Sequence, residues 1–330
     1  MTDYTYIKEF EKLGMGLFVH FGLYSMVGRG EWYLKNCADA DPVMYNALPE
    51  KFTVKKNWAK SLVAAAGRAG AKYVNITTRH HDGFSLYDTR GLSDFDAPHS
   101  ACGRDLIAEF ADECHKAGLL PFFYHTLIDW HEPSYQTDFP AYLDYLNQSV
   151  EILCRHYGKV GGFWFDGFWE KPDLAHWDFD RLYATIRRYQ PEAVIVNNTG
   201  LNALGQVSHR EIDCVTFERG RPCLVDQSDR PRAGETCEGM NDHWGYAAND
   251  IRYKSAERLI ETLLLCRENN CNLLLNTGLR GDGSIRPIER ELLFCLGRWV
   301  RQNRAAIYGT QRSGLAADNA VILTDGRWYY

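Results

Sequence analysis

Short apolar runs alternate with amphipathic stretches along most of the chain. Seven of these runs have the length and apolar content of buried strands, and they occupy residues 15–20, 72–77, 119–125, 162–166, 194–197, 214–217 and 271–276. An eighth strand is less distinct, and we expect it near residues 244–247. Helical periodicity that ends at glycine or before proline predicts six long helices, at residues 58–69, 104–117, 142–157, 179–189, 255–269 and 288–303.

Strands that are apolar along their whole length and separated by helices predict a parallel sheet covered by helices on both faces. Most of the predicted strands end in a polar residue: His20, Thr77, His125, Asp166, Asn197, Glu218 and Asn276. In a closed barrel all these ends converge on one mouth, whereas in an open sheet only those at the switch point do. No GxGxxG or Walker A motif follows the first strand. We therefore predict an α/β fold of the (β/α)8 (TIM) barrel type.

The prediction is a single catalytic domain over residues 1–330 with a short C-terminal tail at about residues 311–330. A hairpin is expected between Asn319 and Tyr330, with Asp325-Gly326 as its turn.

Composition and charge narrow the function classes. The formal net charge is −6, which disfavours a nucleic-acid partner because phosphate binding needs a basic face. No run of 18 apolar residues is present, so we expect no membrane-spanning helix and no membrane partner. Residues 1–4 have neither the basic nor the apolar region of a secretory signal, so the expected location is cytoplasmic.

The cysteine pattern agrees with a reducing compartment. The ten cysteines form no CxxC pair, and several lie in apolar periodic segments, where we expect buried thiols: Cys114, Cys154, Cys266 and Cys295.

Asp166 is the first candidate for chemistry, because it ends the apolar strand at residues 162–166 and is followed by Gly167. Burying a charge is costly unless the charge is paired or used. The structural alternative is that Asp166 caps a following helix.

A carboxylate nucleophile of a retaining glycosidase needs a second carboxyl group about 5–5.5 Å away, which must come from another strand end. Glu218 is the first choice, with Glu211 and Glu235 as rivals in the same loop-rich stretch. The alternative for Glu218 is a surface salt bridge with Arg219 or Arg221.

Two further clusters follow strands. His80 and His81 are suited to hydrogen bonds with sugar hydroxyls, or to binding a metal together with Asp82. Adjacent residues in a strand point to opposite faces, which disfavours joint ligation unless the loop bends, so the sugar interpretation is preferred. Glu31 and Trp32 place a carboxylate acceptor beside a stacking aromatic ring, a combination suited to a polyol.

Together these motifs resemble one family, the α-L-fucosidases of glycoside hydrolase family 29. The matching stretches occur in the family's order over roughly residues 10–310: Gly16-Leu17-Phe18-Val19-His20-Phe21-Gly22-Leu23-Tyr24-Ser25, Gly30-Glu31-Trp32-Tyr33, His80-His81-Asp82-Gly83-Phe84, Asp129-Trp130-His131, Trp164-Phe165-Asp166-Gly167, Trp244-Gly245-Tyr246, Asn272-Leu273-Leu274-Leu275-Asn276 and Ala306-Ile307-Tyr308-Gly309-Thr310.

The resemblance implies a retaining exo-α-L-fucosidase that needs no cofactor and no metal and acts on fucosylated oligosaccharides or glycoconjugates. It implies Asp166 as nucleophile and Glu218 as acid/base. It also implies a fucose pocket made of His20, Glu31, Trp32, His80, His81, Tyr124 and Trp164.

The chain departs from the family in two places. An arginine that some members carry after the fifth strand corresponds to Thr199, and we expect the chain to lack the C-terminal β-sandwich of many members.

Two alternative functions remain open at this point. One is a metal-dependent hydrolase that uses His80, His81, Asp82 and Asp166, and the other is a fucose-binding barrel without turnover. An oligomeric assembly is compatible with the sequence.

Overall fold

Eight parallel strands form a closed barrel in the computed structural model, which describes residues 4–199, 201, 203–318 and 320–330. Each strand pairs with its neighbours in sequence, and β8 pairs with β1. The strands are β1 (Met15–His20), β2 (Tyr73–Arg79), β3 (Leu120–Thr126), β4 (Gly162–Asp166), β5 (Val194–Asn197), β6 (Cys214–Thr216), β7 (Ala233–Gly239) and β8 (Cys271–Gly278). The predicted (β/α)8 barrel is confirmed.

The helices cover the outside of the barrel and its loops. Within the described residues they are α1 (Thr5–Glu11), α2 (Tyr24–Val27), α3 (Tyr33–Asn36), α4 (Pro42–Asn46), α5 (Trp58–Ala69), α6 (Leu106–Ala117), α7 (Ser134–Thr137), α8 (Phe139–His156), α9 (Phe179–Tyr189), α10 (Ala256–Glu268), α11 (Pro287–Gln302) and α12 (Arg304–Ile307).

The six long helices lie where periodicity predicts them, because their ends carry local stop and start signals. Asp105 accepts a hydrogen bond from the Ala108 amide at the start of α6, and Ser255 accepts one from Arg258 at the start of α10. Gly118 ends α6 in the left-handed conformation. None of the described helices is both long and apolar enough to cross a membrane.

The eighth strand is not where the sequence pattern placed it. It is β7, at Ala233–Gly239, and it pairs with β6 and β8. Its sequence, AGETCEG, has no apolar run, because small residues and two glutamates occupy a strand that its neighbours bury. Residues 244–247 instead lie in the loop after β7, where Ala247 forms a single bridge with Arg29.

The core has two layers, one inside the barrel and one between the strands and the helices. Phe18, Tyr124 and Trp164 point inward, whereas Phe123 and Phe163 pack against the outer helices. This alternation decides which strand-end side chains reach the mouth. His125 contacts Tyr87 and Asn197 donates to Tyr183, so both face the helix layer rather than the mouth.

The chain ends in a small hairpin region. Strand β9 (Gln311–Arg312) pairs with β10 (Leu323–Thr324), and Leu323 and Tyr330 exchange backbone hydrogen bonds around Asp325 and Gly326. Asn319, the first residue of the predicted hairpin, lies outside the described residues.

The ten cysteines are free thiols. Cys114, Cys154 and Cys266 are buried as expected, but Cys295 is exposed, because it lies on the outer face of α11 beside the exposed Phe294.

Candidate active site

A cavity of about 270 Å³ opens at the end of the barrel where the strands finish. Eight of the nine side chains proposed from sequence line it: His20, Trp32, His80, His81, Tyr124, Trp164, Asp166 and Glu218. The ninth, Glu31, lines an adjoining groove, where its carboxylate accepts a hydrogen bond of 2.7 Å from the Gly245 amide.

Five further residues line the cavity and were not proposed as site residues: Phe18, Trp169, Leu201, Cys237 and Trp244. Trp244 belongs to one of the family motifs, so that motif could have identified it. Trp169 lies in a 3-10 helix at Phe168–Glu170 and Leu201 in a turn, both too short for a periodic pattern, and no sequence signal pointed to them.

Asp166 and Glu218 are held together by one amide group. Asn198 Nδ2 donates to Asp166 Oδ1 at 3.2 Å and to Glu218 Oε2 at 2.6 Å, so these two oxygens lie no more than about 6 Å apart. The Thr216 hydroxyl donates to Asn198 Oδ1 at 2.8 Å and thereby orients the amide. Tyr124 donates to the other oxygen of Asp166 at 3.1 Å.

Sequence reasoning missed Asn198, because the last residue of each predicted strand was the candidate, and Asn197 is the last residue of β5. A shift of one residue moves a side chain from one face of a strand to the other. Asn197 therefore contacts the helix layer, and Asn198 contacts the carboxyl pair.

Burial raises the pKa of both carboxyl groups, and for Asp166 the neighbouring Glu218 raises it further. Hydrogen bonds from Asn198 and Tyr124 oppose this rise at Asp166. In the described part of the chain, no lysine or arginine forms an ion pair with either group. The charge of the adjacent Arg219 lowers the pKa of Glu218 in part, but two close carboxyls that share no ion pair favour a state in which the pair carries one proton.

The cavity histidines are neutral. Burial lowers the pKa of His20 and of His81 to about 3, and it lowers the pKa of His80 well below its usual value. His80 and His81 pack side by side with ring centroids 4.2 Å apart, because β2 ends at Arg79 and the chain bends there.

Hydrogen bonds determine how two of these rings are protonated. The Thr126 hydroxyl donates to the Ile128 carbonyl at 2.6 Å, so its oxygen accepts from Nδ1 of His81 at 2.7 Å. The Asn276 amide nitrogen donates to the Trp244 carbonyl, which leaves its oxygen to accept from Nδ1 of His20 at 2.7 Å. Both rings therefore have an unprotonated Nε2 that can accept a hydrogen bond from a ligand hydroxyl.

Aromatic rings form the floor and walls. Tyr124 stacks on Trp164 at 5.6 Å and on His80 at 5.5 Å, and Trp32 meets His81 edge-on at 5.2 Å. A polyol with one apolar face suits a site with acceptor nitrogens on one side and rings on the other.

The two rival glutamates lie elsewhere. Glu211 pairs with Arg187 near the opposite end of the barrel. Glu235 lies inside the barrel below the cavity, where it accepts hydrogen bonds from Tyr73 at 2.5 Å and from Trp164 Nε1 at 3.0 Å. Burial raises the pKa of Glu235 to about 7.

Asp82 does not line the cavity. It accepts a hydrogen bond from Tyr45 at 2.6 Å, and burial raises its pKa to about 7. Across the ranges that the structure describes, no three His, Cys, Asp or Glu side chains are arranged to hold a metal ion. Thr199 bonds to Ser208, and the Glu218 carboxylate has no salt bridge with Arg219 or Arg221 in this part of the chain.

Comparison with known protein families and sequences matches nearly the whole chain. The profile of the family described as alpha-L-fucosidase matches residues 2–305. The tissue alpha-L-fucosidase of Rattus norvegicus is 27% identical over 340 residues, which cover 92% of this chain and 70% of that protein.

Two solved structures are similar in fold. Alpha-L-fucosidase isoenzyme 1 from Paenibacillus thiaminolyticus is 31% identical with a TM-score of 0.88, and the match covers 97% of this chain and 81% of that one. Alpha-L-fucosidase AlfC from Lactobacillus casei, in complex with its alpha-L-fucose product, is 24% identical with a TM-score of 0.78, and the match covers 91% of this chain and 99% of that one.

Proposed function

The chain belongs to the α-L-fucosidase family, glycoside hydrolase family 29, and we propose that it releases terminal α-L-fucose with retention of configuration, using Asp166 as nucleophile and Glu218 as acid/base. The proposed substrates are fucosylated oligosaccharides or glycoconjugates.

The observation that carries the proposal is the amide of Asn198 shared by the two carboxyl groups. It limits the separation of the bonded oxygens to about 6 Å, whereas inverting glycosidases keep about 6.5–9.5 Å between carboxyls to admit a water molecule. The arrangement supports direct attack by one carboxylate on the sugar.

The hydrogen bonds also support the assignment of roles. Asp166 accepts from Tyr124 and Asn198, and these donors stabilise its ionised form against burial. Glu218 accepts from Asn198 and, in the described part of the chain, from no second side chain, so fewer donors stabilise its carboxylate form and we assign it as the protonated general acid; burial raises the pKa of both carboxyls and does not itself distinguish them.

The reaction then proceeds in two displacements. The Asp166 carboxylate attacks the anomeric carbon, the glycosidic bond breaks, and the leaving oxygen takes the proton of Glu218, which gives a fucosyl ester of Asp166. Glu218, now a carboxylate, takes a proton from water as the water attacks the same carbon. The ester bond breaks, Asp166 leaves as a carboxylate, and fucose is released with its original anomeric configuration.

Binding of the sugar follows from the lining of the cavity. The unprotonated Nε2 atoms of His20 and His81 accept hydrogen bonds from sugar hydroxyls, and Glu31 provides a carboxylate acceptor at the border of the groove. Phe18 and Trp164 offer an apolar surface for the methyl group that fucose has in place of a hydroxymethyl group.

The test is hydrolysis of an aryl α-L-fucoside by the wild type, Asp166→Asn and Glu218→Ala, each with and without azide. We expect Asp166→Asn to lose roughly 10⁶-fold in kcat, on the order found when the nucleophile of a serine protease is removed. Azide should restore release by Glu218→Ala, because the anion attacks the fucosyl ester without needing a base. Proton NMR of the first-formed fucose should show the α-anomer.

Glu211→Ala is the control, because Glu211 lies near the other end of the barrel. An unchanged rate in Glu218→Ala would move the acid/base role to another residue. If the wild type bound fucose but cleaved no fucoside, the barrel would be a binding protein, and loss of activity with a chelator would support the metal-dependent alternative.

A further inference from the structure

A second depression of about 390 Å³ adjoins the cavity at the mouth of the barrel. We call it the outer groove, and we define it by Arg29, Glu31, Trp32, Arg219, His243 and Trp244. Trp32 and Trp244 line both the cavity and the outer groove, so the two spaces share a wall.

The outer groove begins beside Glu218, one of the two carboxyl groups of the cavity. Glu218 lines the cavity and the next residue, Arg219, lines the outer groove. A general acid must lie beside the oxygen that leaves, so the group attached to that oxygen extends from Glu218 away from the sugar. The outer groove is the space that begins at this point.

Among the charged side chains of the outer groove, Glu31 accepts a hydrogen bond from the Gly245 amide and has no ion pair in the described part of the chain, whereas three others are paired. Arg29 pairs with Asp39 at 2.8 Å, and His243 pairs with Asp250 at 2.8 Å. Asp242, which also borders the groove, pairs with Arg252.

Arg219 is different. Its guanidinium lies over the Trp244 ring at 4.4 Å and donates to the Asp242 backbone carbonyl at 2.9 Å. It forms no ion pair with a carboxylate in the described part of the chain, although its charge lowers the pKa of Glu218, and its side chain is exposed. The backbone of Arg219 has a φ of 48°, a left-handed conformation that is costly for a residue with a side chain and that directs this one over the shared wall.

We propose that the outer groove is the subsite for the group attached to fucose, and that Arg219 selects substrates in which this group carries a carboxylate or a sulfate. This inference rests on the proposed function. The planar guanidinium is held against Trp244, so its free N–H groups can form charge-assisted hydrogen bonds with either anion.

The experiment measures kcat/KM for three aryl α-L-fucosides whose aryl group carries a carboxylate, a sulfonate as the stand-in for sulfate, or a neutral carboxamide. Wild type, Arg219→Gln and Arg258→Gln are compared. Arg258 is an exposed arginine on α10 that lines neither space, which makes it the matched control. Dividing the anionic-to-neutral ratio of each variant by that of the wild type removes the intrinsic leaving-group differences.

We expect the anionic-to-neutral ratio to fall roughly fivefold in Arg219→Gln, as for an exposed ion pair, and to stay constant in Arg258→Gln. The preference of the wild type should shrink at high salt, because exposed charges are screened. A preference for only one of the two anions would identify which one the subsite accepts.

Equal ratios in the wild type and Arg219→Gln would overturn the inference while turnover of the neutral fucoside left the proposed function intact. If none of the three fucosides were cleaved, the proposed function itself would fail.

Discussion

Two aspartates at opposite ends of the barrel, Asp213 fully buried and Asp166 partly exposed in the cavity, have opposite surroundings. Asp213 precedes β6, is fully buried, and is held by Arg187 at 2.5 Å and Arg230 at 3.0 Å. The Tyr6 hydroxyl and the Ile195 amide donate to it as well. Asp166 at the mouth has hydrogen-bond donors but faces a second carboxyl instead of a cation.

The difference separates a carboxylate that stabilises the fold from one that is available for catalysis. Asp213 connects α1, α9 and the start of β5, and its charge is balanced by two arginines. The charge of Asp166 is left unbalanced by the fold, so its protonation depends on Glu218 and on whatever enters the cavity. A carboxyl in a cleft whose pKa is raised and which has no ion pair with a lysine or arginine is a marker of a functional site.

The largest expected effect is on stability, and it comes from removing the carboxylate of Asp213, which two arginines hold. Asp213→Asn should lower the free energy of unfolding by about 3–5 kcal/mol, because it leaves the largely buried Arg230 without a carboxylate and Arg187 with only Glu211. Asp166→Asn should leave that free energy unchanged or raise it, because it removes a buried charge next to another carboxyl. Urea denaturation of both variants measures the contrast, and equal losses would show that the two ends do not differ.

A smaller effect concerns Glu235, below the cavity. Its pKa is raised to about 7 in the folded protein, so the stability that it contributes is fully present below its usual pKa and is lost as the pH rises through about 7. Glu235→Gln removes the ionisable group, so the variant does not lose this stability as the pH rises. Relative to the wild type, the variant should gain about 3 kcal/mol in unfolding free energy between about pH 4.5 and pH 8.

The measurement is urea denaturation of both proteins at the two pH values. A stability difference between the two proteins that does not change with pH would contradict the raised pKa of Glu235.

The smallest expected effect comes from removing a hydrogen-bond donor to Asp166 at the mouth of the barrel. Tyr124→Phe removes a donor to the ionised Asp166, and a hydrogen bond to a charged group contributes about 1.5–3 kcal/mol, so we expect a loss of roughly tenfold or more in kcat/KM. Because the lost hydrogen bond favours the charged form, the pKa of Asp166 rises, and the acidic limb of the pH profile should move to higher pH.

Tyr183→Phe is the matched control, because its hydroxyl bonds to Asn197 in the helix layer. An acidic limb that stays in place in Tyr124→Phe would show that Tyr124 does not stabilise the charge of Asp166.

Much of the fold could be predicted because seven strands are apolar enough to be recognised individually. Strand β7 could not be recognised in this way. Its residues are mostly small or acidic, and they are buried because of the neighbouring strands rather than because they are hydrophobic. The same limit applies to the site. Asp166 and Glu218 follow apolar runs and could be found, whereas Asn198 became visible only once the inward and outward faces of β5 were known.

The sequence alone determined the alternation of strands and helices, the closed barrel and the family, because these depend on local periodicity and on motifs in a fixed order. The tertiary structure alone decided which carboxyls meet, which histidine nitrogens face the cavity, and which charges are balanced. The reason is that pKa values and hydrogen bonds depend on neighbours from distant strands. Glu235 and Asp213 are acidic residues within one segment, but one lies beneath a tryptophan and the other between two arginines.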